Sequence, residues 1–408
     1  MSFFNVKHIS SKSKARLGTI TTDHGVVQTP AFVPVGTKGT IKGLTQGHIK
    51  ELSIQLSFVN TYHLVTHPGI EVLEQAGGIH NFAQYTIPLM SDSGGFQVFS
   101  LALRQREQKK ARVRGEEEPL VEKIDENGVI FRSVYDGQKI VFTPETSMDF
   151  QKSIGADINM AFDECTYYPA THEYTEKAMN RTHEWLKRCI THRNSQFQIS
   201  NLQSNTPHSF KIKNFEFKTK HQYLYGIIQG GTFEDLRKQS AEFVVAQNTP
   251  GIAIGGVSVG ETKEEMRNQV KWVAPYLPKD RPVHLLGVGQ VDDIVDLVKH
   301  GIDTFDCVEP TRVARMGSAY QTRPVLAHLE GNYSSYEVDL NKTIYRADLS
   351  PLDEDCHCST CVNFSKAYIH HLFKQRELLG YTLLSYHNLF VMERLMDVIR
   401  NLIRTDVM

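Results

Sequence analysis

Residues 284–310 read HLLGVGQVDDIVDLVKHGIDTFDCVEP, and the alternation inside that stretch decides the fold. A short apolar run, HLLGVG, gives way to VDDIVDLVKHG, where Ile294, Val295, Leu297 and Val298 share one helical face and Gly301 supplies a stop. TFDCVEP then begins a second apolar run. Strand, amphipathic helix and strand in succession make a parallel βα unit, because parallel neighbours need a crossover that returns the chain to the same end of the sheet.

The unit recurs upstream. INMAFDEC (158–165) precedes a helical stretch from about Thr175 to Arg193. LYGIIQGG (224–231) precedes FEDLRKQSAEFVVAQ, and GIAIGGVSVGE (251–261) precedes TKEEMRNQVKWVAPYL. PLMSDSGGFQVFS (88–100) starts as another buried run and stops at Asp92 and Ser93, with Gly94-Gly95 to turn the chain. Such a series fits either a closed (β/α)₈ barrel or an open doubly wound sheet. The polar residues choose between them. Asp92 and Ser93, Asp163 and Glu164, Gln229, Gly255-Gly256 and Asp306 all fall at the carboxyl ends of the apolar runs. A barrel gathers those ends into one mouth. No G-x-G-x-x-G helix opening marks the crevice of an open sheet. The expected fold class is therefore α/β, a (β/α)₈ TIM barrel.

At 408 residues, with 40% hydrophobic and 22% charged residues, the chain is an ordinary globular protein, long enough for a barrel plus an appendage. No window approaches the roughly 18 apolar residues of a membrane span. The start MSFFNVKHISSKSKARLG lacks the apolar centre of a signal peptide, so a cytoplasmic protein is expected. With 45 basic against 46 acidic side chains, any nucleic-acid contact must come from a local patch. Two stretches break the βα rhythm, RQREQKKARVRGEEE (104–118) and the polar segment 195–222. They are read as parts of insertions near 104–142 and 195–222.

CHCSTC contributes Cys356, Cys358 and Cys361, and His387 follows in LLSYHNLF. Three thiolates and an imidazole suit one tetrahedral Zn²⁺ with no open position, hence a structural ion. His357, squeezed between two ligands, is the poorer candidate. The helical segment between them carries Lys366, His370, His371, Lys374 and Arg376, equally suited to phosphate contact or to plain solvent exposure. The expected division is a barrel over 1–335 and a zinc-binding subdomain with C-terminal helices over 336–408.

SDSGGFQVFSL, FDECTYYPA, GIIQGG, IGGVSVGE, HLLGVG, GIDTFDCVEPTR and CHCSTC with AYIHHL, in this order, closely resemble the tRNA-guanine transglycosylases. The resemblance covers most of the chain apart from 104–142, 195–222 and about 325–345. It implies exchange of guanine at the wobble position of G-U-N anticodon tRNAs for a 7-deazaguanine, and a homodimer. Bacterial members use 7-aminomethyl-7-deazaguanine and eukaryotic ones queuine. Carried over by position, Asp306 resembles the nucleophile and Asp92 the general acid/base. Asp163, Gln229, Ser93 and the Gly256 backbone resemble the groups holding the base, and Phe96 its stacking ring. The Val257 carbonyl backed by Glu261 resembles the receiver of the aminomethyl group, and Arg312 and Arg315 the grip on the anticodon loop. Cys165 and Val259 are the bulkier choices of the bacterial type.

The residue types suit that chemistry. Replacing a base with retained configuration is most simply two inversions, with one carboxylate attacking the anomeric carbon and a second managing the proton. Guanine shows N1–H and an amine as donors and O6 as acceptor, so a carboxylate with an amide and a backbone N–H reads its edge. The lesser alternative for Asp163 is a helix N-cap in DECT. Other readings are a queuine-incorporating enzyme, a noncatalytic tRNA-binding homologue, against which Asp92, Asp163 and Asp306 all speak, and a zinc hydrolase, for which CHCSTC leaves no open position.

Overall fold

The computed structural model describes residues 2–95, 120–133, 137–200 and 219–408. The Phe96 ring, the 104–118 block and most of 195–222 lie outside the described residues. Eight parallel strands form the centre: β1 (Ala31–Pro34), β2 (Ser57–Val59), β3 (Leu89–Ser91), β4 (Ile158–Met160), β5 (Tyr223–Ile228), β6 (Gly251–Ile254), β7 (Val283–Leu285) and β8 (Thr304–Cys307). They follow one another in chain order around the sheet, and β8 pairs with β1 with Asp306 opposite Val33. The ring closes where Val35 bridges Phe58 and the Gly36 N–H donates to the Phe58 carbonyl at 2.7 Å. The expected barrel is present.

Side-chain alternation along these strands builds two cores. Inward residues, among them Val33, Phe58, Met90, Met160, Ile227 and Ala253, form one buried cluster. Their outward neighbours Phe32, Leu89, Leu224, Ile252, Leu285 and Phe305 join a larger cluster with the surrounding helices. Helix 291–297 packs as its spacing predicts, with Ile294, Val295, Leu297 and Val298 all buried and Gly301 left-handed at φ 92°.

An antiparallel sheet of Phe4–Ile9, Arg16–Thr22 and Gly25–Thr29 adds Phe4, Ile20 and Val27 to the inner cluster, and so closes the amino end of the barrel. Part of the first insertion is ordered structure that the sequence pattern did not announce. Leu120–Asp125, Gly128–Arg132 and Lys139–Phe142 form a second antiparallel sheet that buries Val129, Phe131 and Phe142. The helix expected to stop near Arg193 runs from His172 to Ser200, into the second insertion.

Beyond β8, helix Glu309–Arg315 packs on the 27-residue helix Leu378–Arg404. Asn388 ties the two: its amide donates to the carbonyls of Pro310 at 2.9 Å and Ser318 at 3.1 Å, while its oxygen accepts from Tyr320 N–H at 2.9 Å. Among the described residues no helix is long and apolar enough to cross a membrane.

Candidate active site and metal centre

The alternation that fills the barrel interior also aims the polar strand ends. Counting by twos from inward Met90, Ile227 and Ala253 reaches Asp92, Gln229 and Gly255, and Asp306 lies two beyond Thr304. Asp92 is held at a fork: the N–H groups of Thr61 (2.7 Å) and Gly94 (3.2 Å) donate to Oδ1, and the Asn60 amide donates to Oδ2. Gly94 reaches its place at φ 81°, where a Cβ would strike the Phe142 ring. Burial raises the Asp92 pKa to about 7 against the pull of those N–H groups, and the charges of Asp163 and Asp306 push the same way. The three carboxylates lie at or just beyond the carboxyl ends of β3, β4 and β8, the end at which the strands of a barrel share one mouth.

Asp163 accepts from Ser93 Oγ at 3.0 Å and from Gln229 Nε2 at 2.7 Å. It caps no helix, since the next one begins at His172. Burial lifts its pKa to about 6. Its neighbour Glu164 turns to Arg181 and to Tyr174 Oη (2.7 Å). The buried Gln229 Oε1 has no partner among the described residues. Asp306, 8% exposed, accepts on Oδ1 from Gly287 N–H at 2.9 Å and contacts His284 Nε2 at 3.1 Å through the same oxygen. Among the described residues those bonds leave Oδ2 available.

The segment after β6 bends through two left-handed residues, Gly256 at φ 63° and Ser258 at φ 57°. A Cβ at Gly256 would collide with the Gln229 amide, so glycine is required there. Glu261 folds back to accept from Ser258 N–H at 2.5 Å and Val259 N–H at 2.9 Å, which braces the Val257–Ser258 peptide from behind. Arg312 is exposed on helix Glu309–Arg315, directly after the Asp306 strand, and half-buried Arg315 donates to the Thr311 carbonyl at 2.7 Å.

Cys356, Cys358, Cys361 and His387 form a separate buried cluster. His387 Nδ1 lies 3.6, 3.5 and 3.3 Å from the three sulfurs. Sulfur and nitrogen at about 2.3 and 2.0 Å from a tetrahedral Zn²⁺ would be roughly 3.5 Å apart, so the spacing fits the ion. His387 Nε2 donates to the Tyr320 carbonyl at 2.6 Å, which leaves the Nδ1 lone pair facing the thiolates.

Residues 11–408 match the family described as Queuine tRNA-ribosyltransferase. The chain belongs to this family. Among its curated relatives of that name, the protein of Caldanaerobacter subterraneus subsp. tengcongensis is 42% identical over 97% of this chain and 92% of its own length. Those of Natranaerobius thermophilus and Synechococcus elongatus are each 41% identical over 99% of this chain, covering 95% and 91% of theirs. The Cys₃His set could hold one zinc ion, as suits the structural zinc of this family.

Sequence inspection passed over three residues in and around the site. His284 is the inward side chain of an otherwise apolar β7, and counting by twos would have exposed it. Asn60, at the end of β2, and Arg237, on helix Glu234–Ala246, show no local signal because their partners lie far away in sequence.

Proposed function

We propose that this protein exchanges guanine at the wobble position of G-U-N anticodon tRNAs for 7-aminomethyl-7-deazaguanine, through a covalent ribosyl-aspartate. The observation that carries the proposal is the convergence of Asp92, Asp163 and Asp306 at one barrel mouth, each with a different set of partners. The family's shared name supports the reaction class.

Asp306 is the nucleophile in this reading. Gly287 N–H and His284 hold Oδ1, and Oδ2 is the attacking atom. Asp92, with its pKa raised to about 7, gives the departing guanine a proton and takes one from the incoming base. The incoming base then attacks from the face that guanine left, so two inversions restore the configuration. Asp163 and Gln229 read the purine edge, with Ser93 orienting Asp163. The Gly256 backbone answers O6, and the Val257 carbonyl with Glu261 behind it receives the aminomethyl group. A base lacking the donor edge would strand the Asp163 carboxylate, at a cost of about 1–3 kcal/mol or more. Arg312 and Arg315 grip the anticodon loop.

Zn²⁺ at Cys356, Cys358, Cys361 and His387 would tie the CHCSTC loop to helix Leu378–Arg404 within the C-terminal subdomain (336–408), apart from the barrel part (1–335), and takes no part in the exchange. Bulky Cys165 and Val259 favour the aminomethyl base over queuine. We place the enzyme in the cytoplasm as a homodimer. Exchange of labelled guanine from G-U-N tRNA against each free base tests the substrate. Release driven by 7-aminomethyl-7-deazaguanine is expected, and release driven by queuine alone would overturn the assignment.

A further inference from the structure

Arg237 on helix Glu234–Ala246 is fully buried, and a cation at that depth needs partners for all its donors. It has them. Nε donates to the Gly231 carbonyl at 2.7 Å, and Nη1 to those of Gly255 at 2.7 Å and Ile228 at 3.3 Å. Nη2 donates to the Gly256 carbonyl at 2.7 Å and to the Gln269 amide oxygen. Gln269, also fully buried, then donates from Nε2 to Glu261 Oε1 at 3.4 Å. Glu261 in turn holds the N–H groups of Ser258 and Val259.

This chain of contacts fixes peptide directions. In a trans peptide the C=O and N–H point opposite ways. The Gly255 carbonyl, drawn to Arg237, turns Gly256 N–H away from the guanidinium, and the Gly256 carbonyl does the same for Val257 N–H. One plane further on, Ser258 N–H on Glu261 turns the Val257 carbonyl away from Glu261. Three consecutive planes, in a segment with two left-handed residues, are thus set from one side.

We propose that Arg237 and Gln269 are positioning residues for base recognition, locking the segment so that Gly256 N–H faces the exocyclic oxygen of a purine-like base and the Val257 carbonyl faces an alkylammonium substituent. The inference rests on the transglycosylase reading above. Lysine is no substitute for the planar fork, because a single point charge cannot hold four carbonyls in fixed directions.

The test compares wild type, Arg237→Lys and Gln269→Met in KM for guanine, for 7-aminomethyl-7-deazaguanine and for tRNA. Arg237→Lys is expected to raise KM for both bases by about tenfold or more, the scale of effect that slight mispositioning produces, while KM for tRNA holds. Gln269→Met loosens mainly the Glu261 brace, so KM for the aminomethyl base should rise more than that for guanine. Equal rises in KM for bases and tRNA, or no change in either, would overturn the proposal. If Arg237→Lys loses its folded circular dichroism, the base ratio of Gln269→Met decides alone. A wild type that exchanges neither base would refute the transglycosylase reading instead.

Discussion

Asp92 has an ordinary pKa of 3.8 raised to about 7, chiefly by burial, and this has two consequences of known sign. In the unfolded chain the carboxyl ionises near pH 4, whereas in the folded protein it stays neutral until about pH 7. Between those values unfolding releases a proton, so the Asp92 contribution to stability falls as pH rises and stays low above pH 7. Asp92→Asn cannot ionise, so between pH 4 and pH 8 wild type is expected to lose roughly 1–3 kcal/mol more stability than the variant, whatever the variant's own offset from a lost acceptor, after solvent screening of a partly exposed group. Urea unfolding of both proteins at the two pH values would show it. Equal pH dependence in the two proteins would contradict this. On the proposed mechanism the acid form of Asp92 is lost above about pH 7, so exchange should decline on the alkaline side, and Asp92→Asn should lose that limb along with most activity. The position of Asp92 at a strand end was legible because an apolar run stops there, whereas its role came from the family resemblance, since a carboxylate and glycines at that place alone read first as a turn. His284 was not, since one histidine among apolar residues looks like core until the inward register is counted.

At the scale of single elements, the zinc cluster joins the loop carrying CHCSTC to the middle of helix Leu378–Arg404, and through His387 Nε2 to the strand Ser318–Tyr320. Metal removal is expected to melt this region first. Treatment with a strong chelator should release one Zn²⁺ per chain and lower Tm by several degrees, with activity lost in step with unfolding. Prompt loss of activity from fully folded enzyme would point to a catalytic ion instead. The ligands were readable because three cysteines within six positions are hard to explain otherwise. The sheet of Leu120–Asp125, Gly128–Arg132 and Lys139–Phe142 was not, because its short strands sit beside a charged block and alternate only weakly. Strands β1 and β2 were not legible either: neither is followed by a long amphipathic helix of the kind that flagged the equally short β4 and β7.

The whole molecule depends on a junction that no local pattern announces. Arg16, in the sheet closing the barrel's amino end, makes a two-pronged ion pair with Asp303 just before β8, with bonds of 3.0 and 2.6 Å. It also donates to the carbonyls of Pro278, Lys279 and Arg281, while Asp303 accepts from Val283 N–H at 2.7 Å. Both side chains are buried. Arg16→Met is expected to cost about 3–5 kcal/mol in urea unfolding, because it strands a buried carboxylate, whereas exchanging both partners for apolar residues would cost far less. A loss under ~1 kcal/mol for the single variant would show the junction to be solvated. The barrel itself was legible, since a closed ring needs only repeated βα units with polar strand ends. The contacts that close its floor join residues 287 positions apart and leave no periodic trace.

The central claim is that Asp306 bonds to the ribose while Asp92 handles the proton. The most direct measurement is trapping: enzyme, G-U-N tRNA and no incoming base, followed by denaturation and mass analysis of the protein. Wild type is predicted to carry tRNA on the peptide containing Asp306, and Asp306→Asn to carry none. An adduct that persists in Asp306→Asn but vanishes in Asp92→Asn would contradict the assignment and exchange the two roles.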